Sequence, residues 1–210
     1  MTIKHHLSDQ LLMAYAAGSM PEAFSLLVAT HISMCDECRA RMGAFEAVGG
    51  AVLDTSLAAM SAGSLEAVMA RLGAPEPRRA IRAPTVLPAP LADYVGGDLG
   101  SVKWRSLGMG VRQSILPTGK GATARLLYIP AGQAVPDHGH RGLELTLVLQ
   151  GAFSDKTDRF GRGDVETATQ ELDHTPVAEA GADCICLAAT DAPLRFSGFM
   201  PRMLQPFFRI

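Results

Sequence analysis

The chain has 210 residues, enough for one large domain or two small ones. Hydrophobic residues make up 48% of it and charged residues 19%, which is ordinary for a soluble globular protein. The formal net charge of −2 argues against general binding of polyanions, and the apolar runs are far shorter than the roughly 18 residues that a membrane-spanning helix needs.

At the N-terminus the sequence lacks the basic-then-apolar order of a signal peptide, so we expect a cytoplasmic protein. The first third of the chain then has apolar residues at helical spacing and no strand-like alternation. We predict four helices here: one opened by Ser8 or Asp9 and closed near Gly18, one that follows Pro21, one over about 36–48 that ends at the Gly49-Gly50 pair, and one near 64–72.

Residues 74–90 contain five prolines and no sustained apolar period. Proline fixes φ and removes a backbone donor, so this segment is predicted to be an extended linker. The domains are therefore predicted as an all-α domain over 1–73, a linker over 74–90 and a second domain over 91–210. We expect such a tether to couple the two domains only weakly.

After the linker the pattern changes to short β-prone runs at 102–107, 124–129, 145–149, 183–188 and 194–199, with glycines and prolines between them. Many short strands separated by turn residues predict an all-β sandwich or barrel. In one of these runs, Cys184 and Cys186 fall on the same face of a strand. We expect them to be small buried side chains, with reactive thiols as the alternative.

The first candidate metal site is His31-x3-Cys35-x2-Cys38, because residues spaced by four and seven share one face of a helix. Two thiolates and an imidazole suit zinc, which takes four tetrahedral nitrogen or sulfur ligands in a structural site. We predict His6 as the fourth ligand, with His5 as the alternative. A redox CxxC pair would be preceded by a thioredoxin-like strand, which the sequence does not predict.

A DNA-binding zinc finger would be basic, but residues 1–73 hold four Lys and Arg against seven Asp and Glu, which favours a basic protein partner over nucleic acid. The segment resembles the zinc anti-sigma domain in an N-terminal histidine followed by Leu11-Leu12-x-x-Tyr15-Ala16-x-Gly18 and His31-x3-Cys35-x2-Cys38. That resemblance implies helices that wrap a sigma factor and hide its surfaces for RNA polymerase and promoter DNA.

The second candidate metal site is Gly132-x5-His138-x-His140-x3-Glu144-x6-Gly151. Residues two apart on a strand point to the same face, so His138 and His140 can both enter a barrel, and Glu144 opens the next strand. Such a set of ligands suits Zn²⁺, Mn²⁺, Fe²⁺ or Ni²⁺, and affinity alone does not choose among them.

This spacing resembles the first motif of the cupins over about 91–195, and His174 stands where their second motif places a histidine. We therefore predict His174 as the remaining ligand. The second motif keeps Gly163 but has Thr169, Glu171 and Ala178 in place of the usual Pro, Gly and Asn. Cupins include dioxygenases, isomerases and sensors without catalytic activity, so the fold alone does not give the function.

The order of the two domains resembles the ChrR type of anti-sigma factor. It implies inhibition of an ECF-type (group IV) sigma factor through a zinc-binding N-terminal domain. Release would follow oxidative stress of the singlet-oxygen type, sensed by a cupin that holds a second divalent metal ion, for which zinc is expected, and that has room for a small-molecule ligand. We expect no enzymatic activity, no direct DNA binding and no membrane association.

Two alternatives remain: a cupin dioxygenase or isomerase with a helical zinc module for assembly, and a metal-storage or scaffold protein. An enzyme would need inward Glu, Tyr, Arg or Lys side chains near the metal in addition to the ligands. The sequence places none there.

Overall fold

The computed structural model describes residues 2–73, 85–193 and, for the backbone only, 195–196. The helices are α1 (Asp9–Ala16), α2 (Glu22–Ile32), α3 (Asp36–Thr55), α4 (Ser64–Met69) and α5 (Ala89–Val95). The strands are β1 (Arg105–Gly108), β2 (Val111–Ile115), β3 (Thr123–Ile129), β4 (His138–Gly139), β5 (Glu144–Gln150), β6 (Ala152–Ser154), β7 (Arg159–Gly161), β8 (Val165–Ala168), β9 (Asp173–His174), β10 (Val177–Ala178), β11 (Cys184–Thr190) and β12 (Arg195–Phe196).

The N-terminal helices begin where side chains can bind the free backbone amides of the first turn. The Ser8 hydroxyl accepts from the amide of Leu11, 3.4 Å away, and opens α1. The Cys35 sulfur caps α3 in the same way by accepting from the amide of Cys38 at 3.4 Å. The start of α3 is therefore fixed by one of the predicted metal ligands.

Helix α3 does not end at the Gly49-Gly50 pair, as the sequence predicted, but continues to Thr55. Each glycine costs a helix only about 1 kcal/mol relative to alanine, and the residues that follow continue the helix. In α3, glycine was therefore given too much weight as a stop signal. Helix α4 ends at Met69, three residues before its predicted end.

The C-terminal part is built from antiparallel strands in a six-stranded sheet of order β1-β2-β3-β11-β5-β8 and two three-stranded sheets, β10-β6-β7 and β12-β4-β9. The runs predicted at 124–129, 145–149 and 183–188 correspond to β3, β5 and β11 within two residues. The run at 102–107 begins as a strand only at Arg105, because a 3₁₀ turn, Leu99–Ser101, precedes it. Of the run predicted at 194–199, only Arg195–Phe196 lies within the described residues.

All seven residues of β11, the central strand, are buried, because both faces of the large sheet are covered. Ile185 and Leu187 point to the core shared with the helices, whereas Cys184 and Cys186 point to a second apolar core inside the barrel. Alternate side chains of one strand thus belong to two different cores.

The predicted linker differs from the structure at its end, while residues 74–84 lie outside the described part of the chain. Leu87 is fully buried, and its amide donates to the Asp98 carboxylate at 3.1 Å. Helix α5, which the sequence analysis missed, begins at Ala89 with Pro90 in its first turn, where proline is tolerated because that amide needs no partner.

The helical region and the barrel share one continuous hydrophobic core, contrary to the weak coupling expected from a proline-rich tether. Helix α2 lies against β3, β5 and β11, and its residues Phe24, Leu27 and Val28 are buried together with Leu147 and Leu187. The apolar outer face of the large sheet needs a cover, and α2 supplies it. None of the helices among the described residues is both long and apolar enough to cross a membrane.

Candidate metal centres

The first cluster brings together one potential ligand atom from each of His6, His31, Cys35 and Cys38, all within 4.8 Å of one another. Nδ1 of His6 lies 3.3 Å from Sγ of Cys35 and 3.6 Å from Sγ of Cys38. On the opposite side of the His6 ring, Nε2 lies 3.3 Å from a carboxylate oxygen of Glu37. His6 therefore faces the sulfurs through Nδ1.

The local fold explains how these residues meet. His31 lies in the last turn of α2, and its carbonyl accepts from the amides of Met34 and Cys35 in the turn that leads to α3. Cys35 caps α3 and Cys38 lies in the first turn of that helix. His6 comes from the extended segment before α1. His5, the alternative, points elsewhere, with Nε2 3.0 Å from Asp158 Oδ2.

The chemistry of this cluster fits a metal cation. Nδ1–H of His31 donates to the Gly163 carbonyl at 2.9 Å, which leaves the buried Nε2 without a hydrogen-bond partner among the described residues. Burial lowers the pKa of His31 to about 4, so its imidazole is neutral at pH 7, as a metal ligand must be. Burial, with the neighbouring Cys35 adding to it, raises the pKa of Cys38 to about 11. A thiolate at Cys38 therefore needs a nearby positive ion.

The second cluster joins His138, His140 and His174, whose nitrogens also lie within 4.8 Å of one another. Strand β4 pairs with β9 so that His138 stands opposite His174, and Nε2 of His140 lies 3.3 Å from Nε2 of His174. All three rings are buried. Burial lowers the pKa values of His138 and His140 to about 4, and both rings are neutral at pH 7.

Glu144, predicted as a ligand, lies beside this cluster rather than within it. Its Oε2 is 3.6 Å from Nδ1 of His140, and its Oε1 accepts from the Thr146 hydroxyl at 3.2 Å. Burial raises the pKa of Glu144 to about 7, so an adjacent cation would stabilise its charged form. Its role as a ligand stays a prediction.

Two carboxylates that the sequence analysis did not single out contact His174. Asp155 Oδ2 accepts from Nδ1 of His174 at 2.8 Å, and Glu166 Oε1 lies 3.1 Å from the same nitrogen. An acceptor at Nδ1 fixes the ring and leaves Nε2 free to bind. Asp155 also accepts from the amide of Thr157 in a tight turn. That turn is the only feature of the sequence that could have drawn attention to Asp155. By contrast, Asp137 and Asp173, which precede ligands in sequence, are exposed.

The barrel interior also holds a buried cation near the second cluster. Arg125 of β3 donates to Gln113 Oε1 at 3.3 Å and is attracted electrostatically to Glu144. A cavity of about 590 Å³ borders His174 from outside and is lined by Asp137, Ser154, Asp155, Lys156, Asp173, His174, Thr175 and Val177. The structure therefore supplies inward charged groups that the sequence could not place.

Cys184 and Cys186 lie outside both clusters. Their sulfurs are 3.5 Å apart in the inner core of the barrel, and both cysteines are buried and free. The pKa of Cys186 is raised well above the usual range, mainly by the hydrogen bond with Cys184 and to a smaller extent by burial. This environment is that of the small buried side chains expected from the sequence.

Comparison with known proteins covers both parts of the chain. Residues 94–192 match the family described as the ChrR cupin-like domain. Over its full length the chain is 68% identical to the anti-sigma-E factor ChrR of Cereibacter sphaeroides, and the alignment covers all of both proteins. The crystal structure of Rhodobacter sphaeroides SigE in complex with the anti-sigma ChrR matches with a TM-score of 0.79 and 68% identity, over 90% of this chain and 100% of that one. The predicted fold, a helical region followed by a cupin barrel, is thereby confirmed, and the chain belongs to the ChrR family of anti-sigma factors.

Proposed function

We propose that this chain binds and inhibits an ECF-type sigma factor through its helical region, residues 1–73, and releases it under oxidative stress of the singlet-oxygen type. The full-length identity of 68% to an anti-sigma-E factor carries the proposal. The chain then acts where RNA polymerase acts, in the cytoplasm, as a negative regulator of transcription that does not itself bind DNA.

The helical region offers a surface for such a partner. Nine apolar side chains on the second half of α3, on α4 and around them are exposed, with Leu57 the most exposed at 97%: Val48, Val52, Leu53, Leu57, Met60, Leu65, Val68, Met69 and Leu72. Contiguous exposed apolar residues mark interaction sites in soluble proteins. We infer that this 48–72 apolar surface contacts the sigma factor.

We further propose that His6, His31, Cys35 and Cys38 hold a structural zinc ion. The set of two imidazoles and two buried thiols supports this, because zinc prefers four such ligands in a tetrahedral site. The ion would join the segment before α1 to the junction of α2 and α3, and thereby hold the helices that present the 48–72 apolar surface.

In the barrel, we propose that His138, His140 and His174 bind a second divalent metal ion with Glu144 as the fourth ligand. Zinc is the ion we expect, with Mn²⁺, Fe²⁺ or Ni²⁺ as the alternatives. When bound, the ion would supply an electrophilic centre for a small oxidised ligand. Asp155 and Glu166 would orient His174 toward it.

The sensory barrel is proposed to act without catalytic turnover. The cavity beside His174 and the buried Arg125 favour the alternative, a cupin metalloenzyme, since both could serve a substrate. The two proposals separate when metal-loaded protein is incubated with organic hydroperoxides while substrate loss and sigma binding are followed together. Multiple turnovers with unchanged sigma affinity would favour the enzyme.

The anti-sigma proposal itself is tested by co-expressing the chain with each sigma factor of its host and purifying complexes through a tag. We expect a stable complex with one ECF-type sigma factor, and we expect the purified chain to stop transcription by RNA polymerase with that sigma factor. A chain that captures none of the sigma factors and leaves transcription unaffected contradicts the proposal.

A further inference from the structure

The turn between β7 and β8 of the barrel touches the first metal cluster directly. The Gly163 carbonyl in this turn accepts from Nδ1–H of His31 at 2.9 Å, and the side chain of His31 is buried. These two residues are 132 positions apart in sequence. The hydrogen bond fixes which nitrogen of His31 carries the proton and directs Nε2 away from the turn.

The next residue, Asp164, binds the segment that carries His6. Its carboxylate accepts from the amides of Lys4 at 2.6 Å and His5 at 3.0 Å, and Val165 donates its amide to the His5 carbonyl at 3.1 Å. Asp164 is only 4% exposed, so water competes little for these bonds. The two residues before His6 are thus held by the barrel.

We propose that the β7–β8 turn is part of the N-terminal metal centre: the Gly163 carbonyl and the Asp164 carboxylate are positioning groups that hold His31 and His6 in the orientation that binds zinc. This inference rests on the zinc site of the proposed function. It means that two of the four ligands are oriented by groups on the barrel.

The same strand leads to the second cluster. Glu166 stands two residues after Asp164 on β8, and its Oε1 lies 3.1 Å from Nδ1 of His174. A strand moves as a unit because its backbone is hydrogen-bonded to its neighbour, here β5. The segment from Gly163 to Glu166 therefore joins the two clusters, and we expect a displacement of His174 to reach, through this segment, the groups that orient His31 and His6.

Cobalt is the probe that separates the two centres. Co²⁺ bound by cysteine thiolates absorbs strongly in the near ultraviolet, and only the N-terminal cluster contains cysteines. The full-length protein is loaded with Co²⁺, and its affinity and spectrum are compared in wild type, in Asp164→Ala and in Asp183→Ala. Asp183 is the control because its carboxylate also accepts from a backbone amide, that of Ala131 at 3.1 Å, but Asp183 belongs to neither metal cluster.

We expect Asp164→Ala, which removes the oxygen that accepts from both amides, to weaken Co²⁺ binding at the thiolate centre by about 10- to 100-fold, the usual effect of losing a group that orients a metal ligand, and to change the d–d spectrum. Asp183→Ala should leave both unchanged. If Asp164→Ala does not fold, Lys4→Pro replaces it, because this change deletes an amide that Asp164 binds and alters no barrel side chain. Wild-type affinity and spectrum in the substituted protein would overturn the inference, whereas a wild-type protein without a thiolate band would overturn the zinc site as well.

The connection between the clusters is tested by emptying the barrel site with His138→Ala. We expect metal to leave the thiolate centre about fivefold faster, or more, when the barrel site is empty, a coupling in the range usual for linked sites. In the Asp164→Ala background, His138→Ala should add nothing. No acceleration, or equal acceleration in both backgrounds, would show that the β7–β8 turn does not connect the two centres.

Discussion

Three of the clustered histidines, His31, His138 and His174, are held through Nδ1 and present Nε2 to a metal ion, whereas His6 faces the sulfurs through Nδ1. Nδ1 of His31 donates to the Gly163 carbonyl, Nδ1 of His138 to the Pro136 carbonyl and Nδ1 of His174 to the Asp155 carboxylate. In each case the anchored nitrogen must carry the proton, because a carbonyl or carboxylate oxygen only accepts. Nε2 then keeps the lone pair that a metal ion needs.

Replacing any one of three N-terminal ligands should remove the zinc ion and the complex with the sigma factor. The variants are His31→Ala, Cys35→Ala and Cys38→Ala. The apparent binding free energy of a structural zinc is about 10–16 kcal/mol in small modules, so losing one ligand disorders the helices around it. Zinc content and sigma pull-down measure the effect. Cys184→Ala, which removes an equally buried thiol outside the cluster, is the control and should keep both.

A second expectation concerns the barrel ligands. Changing any one of the four barrel ligands should lower the metal content of the barrel and abolish induction of the sigma factor by singlet oxygen. The variants are His138→Ala, His140→Ala, His174→Ala and Glu144→Gln. Inhibition in unstressed cells should stay intact, since the 48–72 apolar surface lies elsewhere. Metal analysis combined with a promoter reporter checks this. A variant without barrel metal that still induces normally would contradict a sensory role for the site.

Among the secondary-structure elements, α4 shows that helical periodicity predicts an apolar face but does not predict whether that face is buried. In the helix predicted near 64–72, the apolar residues Leu65, Val68, Met69 and Leu72 recur at helical spacing, and all four are exposed. Spacing identifies the apolar face of a helix but not what covers it. The long strands β3, β5 and β11 were predicted within two residues because glycines and prolines mark their ends, whereas the seven-residue α5 was missed because it follows directly on a run of prolines.

We expect Leu65→Asp and Val68→Asp to weaken sigma binding by at least tenfold, about 1.4 kcal/mol, because each places a charge in the interface proposed for α4. The thermal stability of the free protein should not change, since neither side chain is buried. Met109→Asp is the matched control: Met109 is an apolar residue, 75% exposed, in the β1–β2 turn of the barrel. Equal binding by all three variants would place the interface elsewhere.

For the whole molecule, the sequence predicted the two folds and both groups of histidines, because motif spacing and local periodicity act over short stretches of chain. It did not predict that the folds share a core. The contacts that join them, such as Lys4 with Asp164, connect residues 160 positions apart, and nothing in the local pattern encodes them. Glu166 was missed for the same reason, since its meeting with His174 depends on how distant strands pack.

The shared core leads to an expectation for the isolated fragment 1–75. It should still inhibit the sigma factor, because all four N-terminal ligands and the 48–72 apolar surface lie within it, even though it lacks the Gly163 and Asp164 groups that orient His31 and His6. It should also unfold at a lower temperature than the whole chain, because Phe24, Leu27 and Val28 lose their cover and His31 loses the Gly163 carbonyl. Transcription assays and thermal melts measure the two effects. A fragment that does not inhibit while the whole chain does would assign part of the inhibition to the barrel.

Helix α4 has six residues and none of them is buried. A helix so short is marginal in water by itself, so its order in a complex would come largely from the partner that covers it. Segments that order on binding use part of the interaction free energy for that ordering, typically about 2–5 kcal/mol. Amide hydrogens over residues 57–72 should therefore exchange rapidly in the free protein and slowly in the complex. An interface that must be ordered to be occupied is held less tightly than its area suggests, so less free energy is needed to open it.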